Sequence, residues 1–220
     1  MISKLVTLIT ALLLLTACEK PDPPTVGLYL AVQRGDIDQI ERHIHWGSDM
    51  EQADVDGRRP LHIAAKKGSY VVAKVLIENG AQIDAPDLQG HPPLHTALMS
   101  GRTQVAELLI KQGAQTDANH LLEQVVENGV ADRDVVELLL QQGADINHFN
   151  AAGATPLMQA IADENRVLVR VLIGHGADVN QADTNGLTPL ALATESQNQD
   201  IIRLLGRNGA RLPENLSSTP

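Results

Sequence analysis

The chain has 220 residues, a formal net charge of -10 and a single cysteine. That length suits one large domain or two small ones with a sizeable core, and one cysteine excludes an intrachain disulfide and every multi-cysteine metal site. Aromatic residues make up only 2% of the chain, so the core must come from Leu, Ile, Val and Ala. No long basic run is present, which argues against nucleic acid as a partner.

The first element is a leader. Lys4 precedes an apolar run from Leu5 to Leu15, followed by Thr16, Ala17 and Cys18. A positive start, a short apolar stretch and small residues have the layout of a secretory signal, too short to span a bilayer comfortably. On the residues alone, an ordinary signal peptide cleaved near Cys18 and a short membrane anchor both fit. The stretch "LTAC" (15–18) resembles the bacterial lipobox. That resemblance implies a signal peptide over residues 1–17 and a Cys18 that becomes the lipidated first residue, carrying three acyl chains. The chain would then sit on an envelope membrane, facing the periplasm. Glu19 is not the usual Asp retention residue, which points to the outer membrane. The polar, proline-rich "EKPDPPTV" (19–26) reads as a tether reaching roughly 25 Å, with residues 18–24 assigned to the acylated cysteine and tether.

A repeat organises the rest, residues 25–212. A Gly before a small residue recurs at Gly47, Gly80, Gly113, Gly143, Gly176 and Gly209, at intervals of 33, 33, 30, 33 and 33. Leu28, Leu61, Leu94, Leu157 and Leu190 each stand nineteen residues before one of these glycines. In the second unit a short helix opens at Pro60, where a missing N–H costs nothing, and ends near Gly68. A second helix carries Val72, Val75, Leu76 and Ile77 at helical spacing and stops at Gly80. The 30-residue interval has two parts: the link from Gly113 to Leu122 is five residues short, and the loop "ENGVADRD" is two long. The fourth unit should therefore lack most of its projecting finger.

Helix, turn, helix and hairpin in 33 residues, with "RPLH", "PPLH", "TPLM" and "TPLA" opening four units, is similar to the ankyrin repeat and its T-P-L-H-x-A pattern. The resemblance implies an all-α solenoid of six helix-turn-helix units linked by short β-hairpin loops. It also implies a local hydrogen-bond network between the Thr and His of that pattern. No unit here has both: Arg59 and Pro92 stand with His62 and His95, while Thr155 and Thr188 stand with Met158 and Ala191. Polar Arg42 and His43 replace Val75 and Leu76 of the next unit, and Gly206 replaces Ile77; these read as caps on the terminal repeats. Residues 213–220 read as a frayed tail.

The resemblance also places the binding face on the hairpin tips and the exposed ends of the first helices. Carried over by position, this selects Val55, Asp56, Arg58, Lys66 and Lys67 in unit 2, and Leu88, Gln89, His91, Met99 and Ser100 in unit 3. Units 4 to 6 contribute Glu127 and Asn128, then Asp163, then Asn185, Leu187 and Glu195. Arg34, Arg58, Lys66 and Lys67 make the N-terminal half of this face basic, while Glu127, Asp163, Glu164 and Glu195 make the other half acidic. Leu88, Leu187, Met99 and Phe149 are candidate apolar anchors. The eight histidines fall into no ligand spacing, so no metal or cofactor is expected, and no nucleophile elbow or phosphate-cradling loop appears. The expectation is a monomeric protein-binding module, lipid-anchored in the periplasm, acting as a scaffold or accessory for an envelope or stress-related protein. Two alternatives stay open: an immunity protein that blocks a secreted toxin, and a small-molecule sensor or enzyme.

Overall fold

The computed structural model describes residues 21–211. The leader, Cys18 and the expected tail at 213–220 lie outside the described residues.

Twelve α-helices and no strand are present among the described residues, in six consecutive helix–turn–helix pairs. The first helices are α1 (Leu28–Arg34), α3 (Pro60–Lys67), α5 (Pro93–Met99), α7 (Ala118–Glu127), α9 (Pro156–Ala162) and α11 (Pro189–Glu195). The second helices are α2 (Ile37–His45), α4 (Tyr70–Glu78), α6 (Thr103–Lys111), α8 (Arg133–Gln141), α10 (Arg166–Gly174) and α12 (Gln199–Arg207). First helices stack on first helices, and from α4 onward second helices stack on second helices, giving an inner and an outer layer.

Every helix is ten residues or shorter, below the length at which an isolated helix is stable in water. Stacking supplies what length does not. Leu61, Leu94, Leu122 and Leu157 are all 1% exposed, and burying such a side chain contributes about 2 kcal/mol. Three residues on, Ala31, Ala64, Ala97, Val125, Ala160 and Ala193 are fully buried. All but one are alanine, because neighbouring inner helices meet there at close range. Pro60, Pro93, Pro156 and Pro189 occupy the first turn of their helices. Asp36, Asp132, Asn165 and Asn198 accept backbone N–H bonds at the starts of outer helices.

Four units carry a finger. Asp54 Oδ1 accepts from the N–H groups of Asp56 and Arg58, both at 2.9 Å; Asp87, Asn150 and Asp183 repeat this turn. The fingers are thus five-residue turns held by an Asp or Asn side chain. Asp54 N–H also donates to Arg58 O at 3.0 Å, a backbone bond repeated in the other three fingers, so each closes as a short hairpin loop, with no strand among the described residues. Neighbouring fingers join in two couples: Leu88 N–H donates to Asp56 O at 3.1 Å, and Thr184 N–H donates to Gly153 O at 3.1 Å.

Unit 4 has no finger, as its spacing implies, but the missing length is partly recovered as helix. Asp117 caps α7 through His120 N–H at 3.1 Å. Ala118, the first residue of α7, lies four positions before Leu122, whereas Pro60 lies one before Leu61. The row of fingers is therefore interrupted between units 3 and 5.

The N-terminal cap differs from expectation. His43 is only 8% exposed, because residues 21–26 fold back over it. Its Nδ1 lies 2.8 Å from Ser48 Oγ and its Nε2 lies 2.7 Å from Val26 O. Trp46 donates to Pro21 O at 2.9 Å, and Thr25 N–H donates to Gln39 Oε1 at 2.8 Å. Part of the expected free tether is thus docked from Pro21 onward. Gly206 is exposed on the last unit, where a Cβ would meet nothing.

Candidate partner-binding face

The finger turn turns its middle residues outward because its Asp or Asn side chain points in. Val55 and Leu88 are 91% and 72% exposed, and the bond from Leu88 N–H to Asp56 O sets these two tips side by side. Gln89 is exposed and His91 half-buried on the same couple. In the second couple Asn185 is exposed and Leu187 half-buried. Lys66, Lys67, Glu127, Asn128, Asp163 and Glu195 are exposed at the ends of inner helices. Met99 and Ser100 are half-buried, and Met99 packs against the core. Met99 is therefore a packing residue and not a free apolar anchor. Phe149 is exposed at the base of the fifth finger.

Charge on this face is less sorted than the sequence suggests. Arg58 pairs with Asp54 at 3.0 Å and with Asp56. Burial alone would raise the Asp54 pKa, but backbone N–H donors from Arg58 and Asp56, with the Arg58 guanidinium, outweigh it and hold the carboxyl below its usual value. The same ion pair raises the Arg58 pKa. The Lys67 ammonium donates to Gln33 O. Arg34, Lys66 and Lys67 then carry the positive charge of the N-terminal half that no carboxylate pairs with among the described residues, opposite Glu127, Asp163, Glu164 and Glu195.

A depression of ≈ 500 Å³ opens between units 1 and 2, lined by Tyr29, Gln33, Asp54, Arg58, Ile63, Lys66 and Lys67. Sequence reasoning missed it because Tyr29 and Gln33 come from α1 and Ile63 from α3, thirty residues on. The available signal was register: Tyr29 follows Leu28 as His62 follows Leu61. The Tyr29 hydroxyl donates to Arg58 O, and His62 Nε2 lies 3.0 Å from His91 O, the matching carbonyl one unit on. Burial raises the Tyr29 pKa and lowers that of His62. These side chains are struts between units. His62 also takes the Arg59 N–H on Nδ1 at 3.1 Å, so it acts without the threonine of the T-P-L-H pattern. Arg59 instead reaches Pro86 O at 2.6 Å and Glu51 at 3.1 Å.

His95 holds the same register, but unit 4 offers it no finger. Its ring stacks on His91 with centroids 3.9 Å apart, and it makes no hydrogen bond among the described residues. Burial, with His91 and His120 nearby, lowers its pKa to about 4. No group of three or more His, Cys, Asp or Glu side chains that could hold a metal is present among the described residues.

The family model "Ankyrin repeats (3 copies)" matches residues 28–120 and 122–215, most of the chain. The protein belongs to the ankyrin-repeat family. Ankyrin repeats are typically binding scaffolds without catalytic activity. The human ASB11 ankyrin repeat domain superposes with a TM-score of 0.67 at 28% identity, covering 86% of each chain. A chain of the complex between the predatory endopeptidase Bd0816 of Bdellovibrio bacteriovorus and immunity protein Bd3460 gives a TM-score of 0.64. That match is 26% identical over 82% of this ankyrin chain and 96% of the other. Among curated proteins, potassium channel KOR1 of Oryza sativa subsp. japonica is 49% identical over 49 residues, which is 22% of this chain and only 6% of the channel.

Proposed function

We propose that this chain is a lipid-anchored, six-repeat ankyrin module that holds a protein partner at the periplasmic face of a bacterial envelope membrane and catalyses nothing itself. The observation that carries the reading is the paired, exposed tips of fingers 2 and 3, Val55 and Leu88, beside Lys66 on the inner layer. An apolar couple flanked by charge is what a protein interface uses as anchor and rim. The anchor rests on "LTAC" at Leu15 to Cys18; no helix among the described residues is long and apolar enough to cross a membrane.

The likeness to the endopeptidase–immunity protein complex favours a second, narrower role: covering an exported enzyme that would otherwise damage the cell's own envelope. In that role the two finger couples grip the partner on either side of the gap at unit 4. The small-molecule alternative finds less support, since the depression beside Lys66 is open to solvent and carries the charged Asp54, Arg58, Lys66 and Lys67 in its lining, with no enclosed apolar wall.

Two measurements test this function. Metabolic labelling with a palmitate analogue should mark the wild type and leave Cys18→Ser unmarked; a labelled variant removes the anchor. Lys66→Glu should weaken partner binding while the melting temperature stays nearly constant, as expected for an exposed change of about 0.5 kcal/mol or less. An unchanged dissociation constant takes the basic end of the face out of the interface.

A further inference from the structure

The outer layer changes character over its last two units. Arg166 and Arg170 on α10, and Arg203 and Arg207 on α12, line a groove of ≈ 290 Å³ with Asp200 and Leu204. All four arginines are exposed. Arg203 pairs with Asp200 at 2.7 Å; the guanidinium groups of Arg166, Arg170 and Arg207 have no hydrogen bond or ion pair among the described residues. Elsewhere the outer helices mix signs: α2 carries Arg42 with Asp38 and Glu41, α4 pairs Lys74 with Glu78 at 3.7 Å, and α8 carries Arg133 against Asp134 and Glu137. In a chain of net charge -10, four guanidiniums against one carboxylate form a segregated patch.

Folding alone gives no reason for it. Arg166 and Arg170 are four residues apart, as are Arg203 and Arg207, and like charges at that spacing weaken a helix. A counter-charge from outside the chain offsets the repulsion. We infer that this patch rests on the anionic headgroups of the membrane that carries the protein, an inference that depends on the anchored reading above. Three features favour a lipid surface over an acidic protein. The groove's lining holds one apolar residue, the half-buried Leu204, with Val167 exposed beside Arg166, so guanidinium charge rather than an apolar pocket is its main feature. Guanidinium groups match phosphate oxygens in pairs. The patch also lies at the opposite end of the solenoid from the docked segment at Pro21. An acyl anchor at one end with a basic patch at the other supplies two attachment points. The solenoid then lies along the membrane on its outer layer, with the finger side left free for a partner.

The experiment uses the full chain reconstituted into vesicles, with a fluorescent amino acid in place of Gln199 on α12 and a headgroup-attached quencher in the lipid. Quenching is expected in vesicles containing phosphatidylglycerol, and loss of it in pure phosphatidylcholine or in salt high enough to screen across a few ångströms. Arg170→Gln should lower the ratio of resting to lifted orientations about fivefold, and Arg170→Gln with Arg207→Gln should approach the neutral-lipid signal. Equal quenching in both lipids, or no response to the arginine changes, overturns the inference. So does a poly-glutamate peptide that shifts the label's emission in neutral vesicles as strongly as phosphatidylglycerol does, which assigns the patch to an acidic protein. Flotation separates this inference from the reading beneath it. A chain that floats with phosphatidylcholine but ignores phosphatidylglycerol is attached without the patch. A chain that floats with neither removes both.

Discussion

Units 3 and 4 are built from the same repeat, yet they meet their neighbours by different means. Unit 3 has a finger turned by Asp87, bonded to finger 2 through Leu88 N–H, and its His91 carbonyl receives His62. Unit 4 replaces its finger with an extra turn of helix capped by Asp117, which leaves His95 without the carbonyl that its register calls for. The difference separates two roles of the finger. It presents side chains to a partner, and it also satisfies a buried polar group on the unit before it. Where the finger is lost, the inner helices still stack, so the solenoid continues; the cost appears at the buried imidazole.

Removing a finger contact elsewhere should reproduce part of the unit 4 situation. Gly153 has φ +79°, and a Cβ there would lie 1.9 Å from Thr184 Oγ1. Gly153→Ala should therefore uncouple fingers 5 and 6 and lower stability by about 2–3 kcal/mol in urea melts. Gly90 has φ +85° with open space around its Cβ position, so Gly90→Ala should cost only the backbone term, about 1 kcal/mol. Equal losses would mean that the contact between fingers contributes nothing.

The next effect follows from His95. Its pKa lies near 4 in the folded chain against about 6.5 unfolded, so the unfolded state binds the proton first. Stability from this group is complete above about pH 6.5 and is lost as pH falls towards 4. By pH 5 the loss should reach about 2 kcal/mol, and His95→Leu should flatten that part of the pH dependence. His62, also shifted down by burial, adds a response of the same sign. A variant with an unchanged pH profile would show that the stacked pair with His91 does not hold the ring neutral.

A smaller change tests the intact strut. Tyr29→Phe removes the hydroxyl bond to Arg58 O and should destabilise by about 1 kcal/mol, with units 1 and 2 losing hydrogen-exchange protection before units 5 and 6. The smallest effect concerns backbone strain. One or two residues after each inner helix the backbone is left-handed, at Gly35, Gly68, Gly101 and Gly129 on glycine, but Glu164 and Gln197 hold φ of 53° and 56° there. Gln197→Gly should raise stability by up to about 1 kcal/mol.

The period, the helix pairs and the missing finger were legible because each depends on local spacing: Leu61 to Gly80, Pro60 at a helix start, a short link after Gly113. What was not legible depends on contacts between units or on chain reversal. His43 looked like a polar cap because its sequence neighbours cannot show that Val26 returns to cover it. Arg58 looked like a free cation because the sequence does not show that the Asp54 and Asp56 carboxylates turn onto its guanidinium. Met99 looked exposed because its helix position says nothing of what packs beside it. The exposure of Val55 and Leu88 agrees with their placement at the finger tips, which came from the ankyrin resemblance.

The finger side of the inner layer is the proposed place where a partner docks. A photocrosslinking amino acid placed at Leu88, and in a separate strain at Glu107 on the outer helix α6, tests this in living cells. The account predicts one discrete protein adduct from position 88 and none from position 107. Adducts from 107 with none from 88 would contradict it.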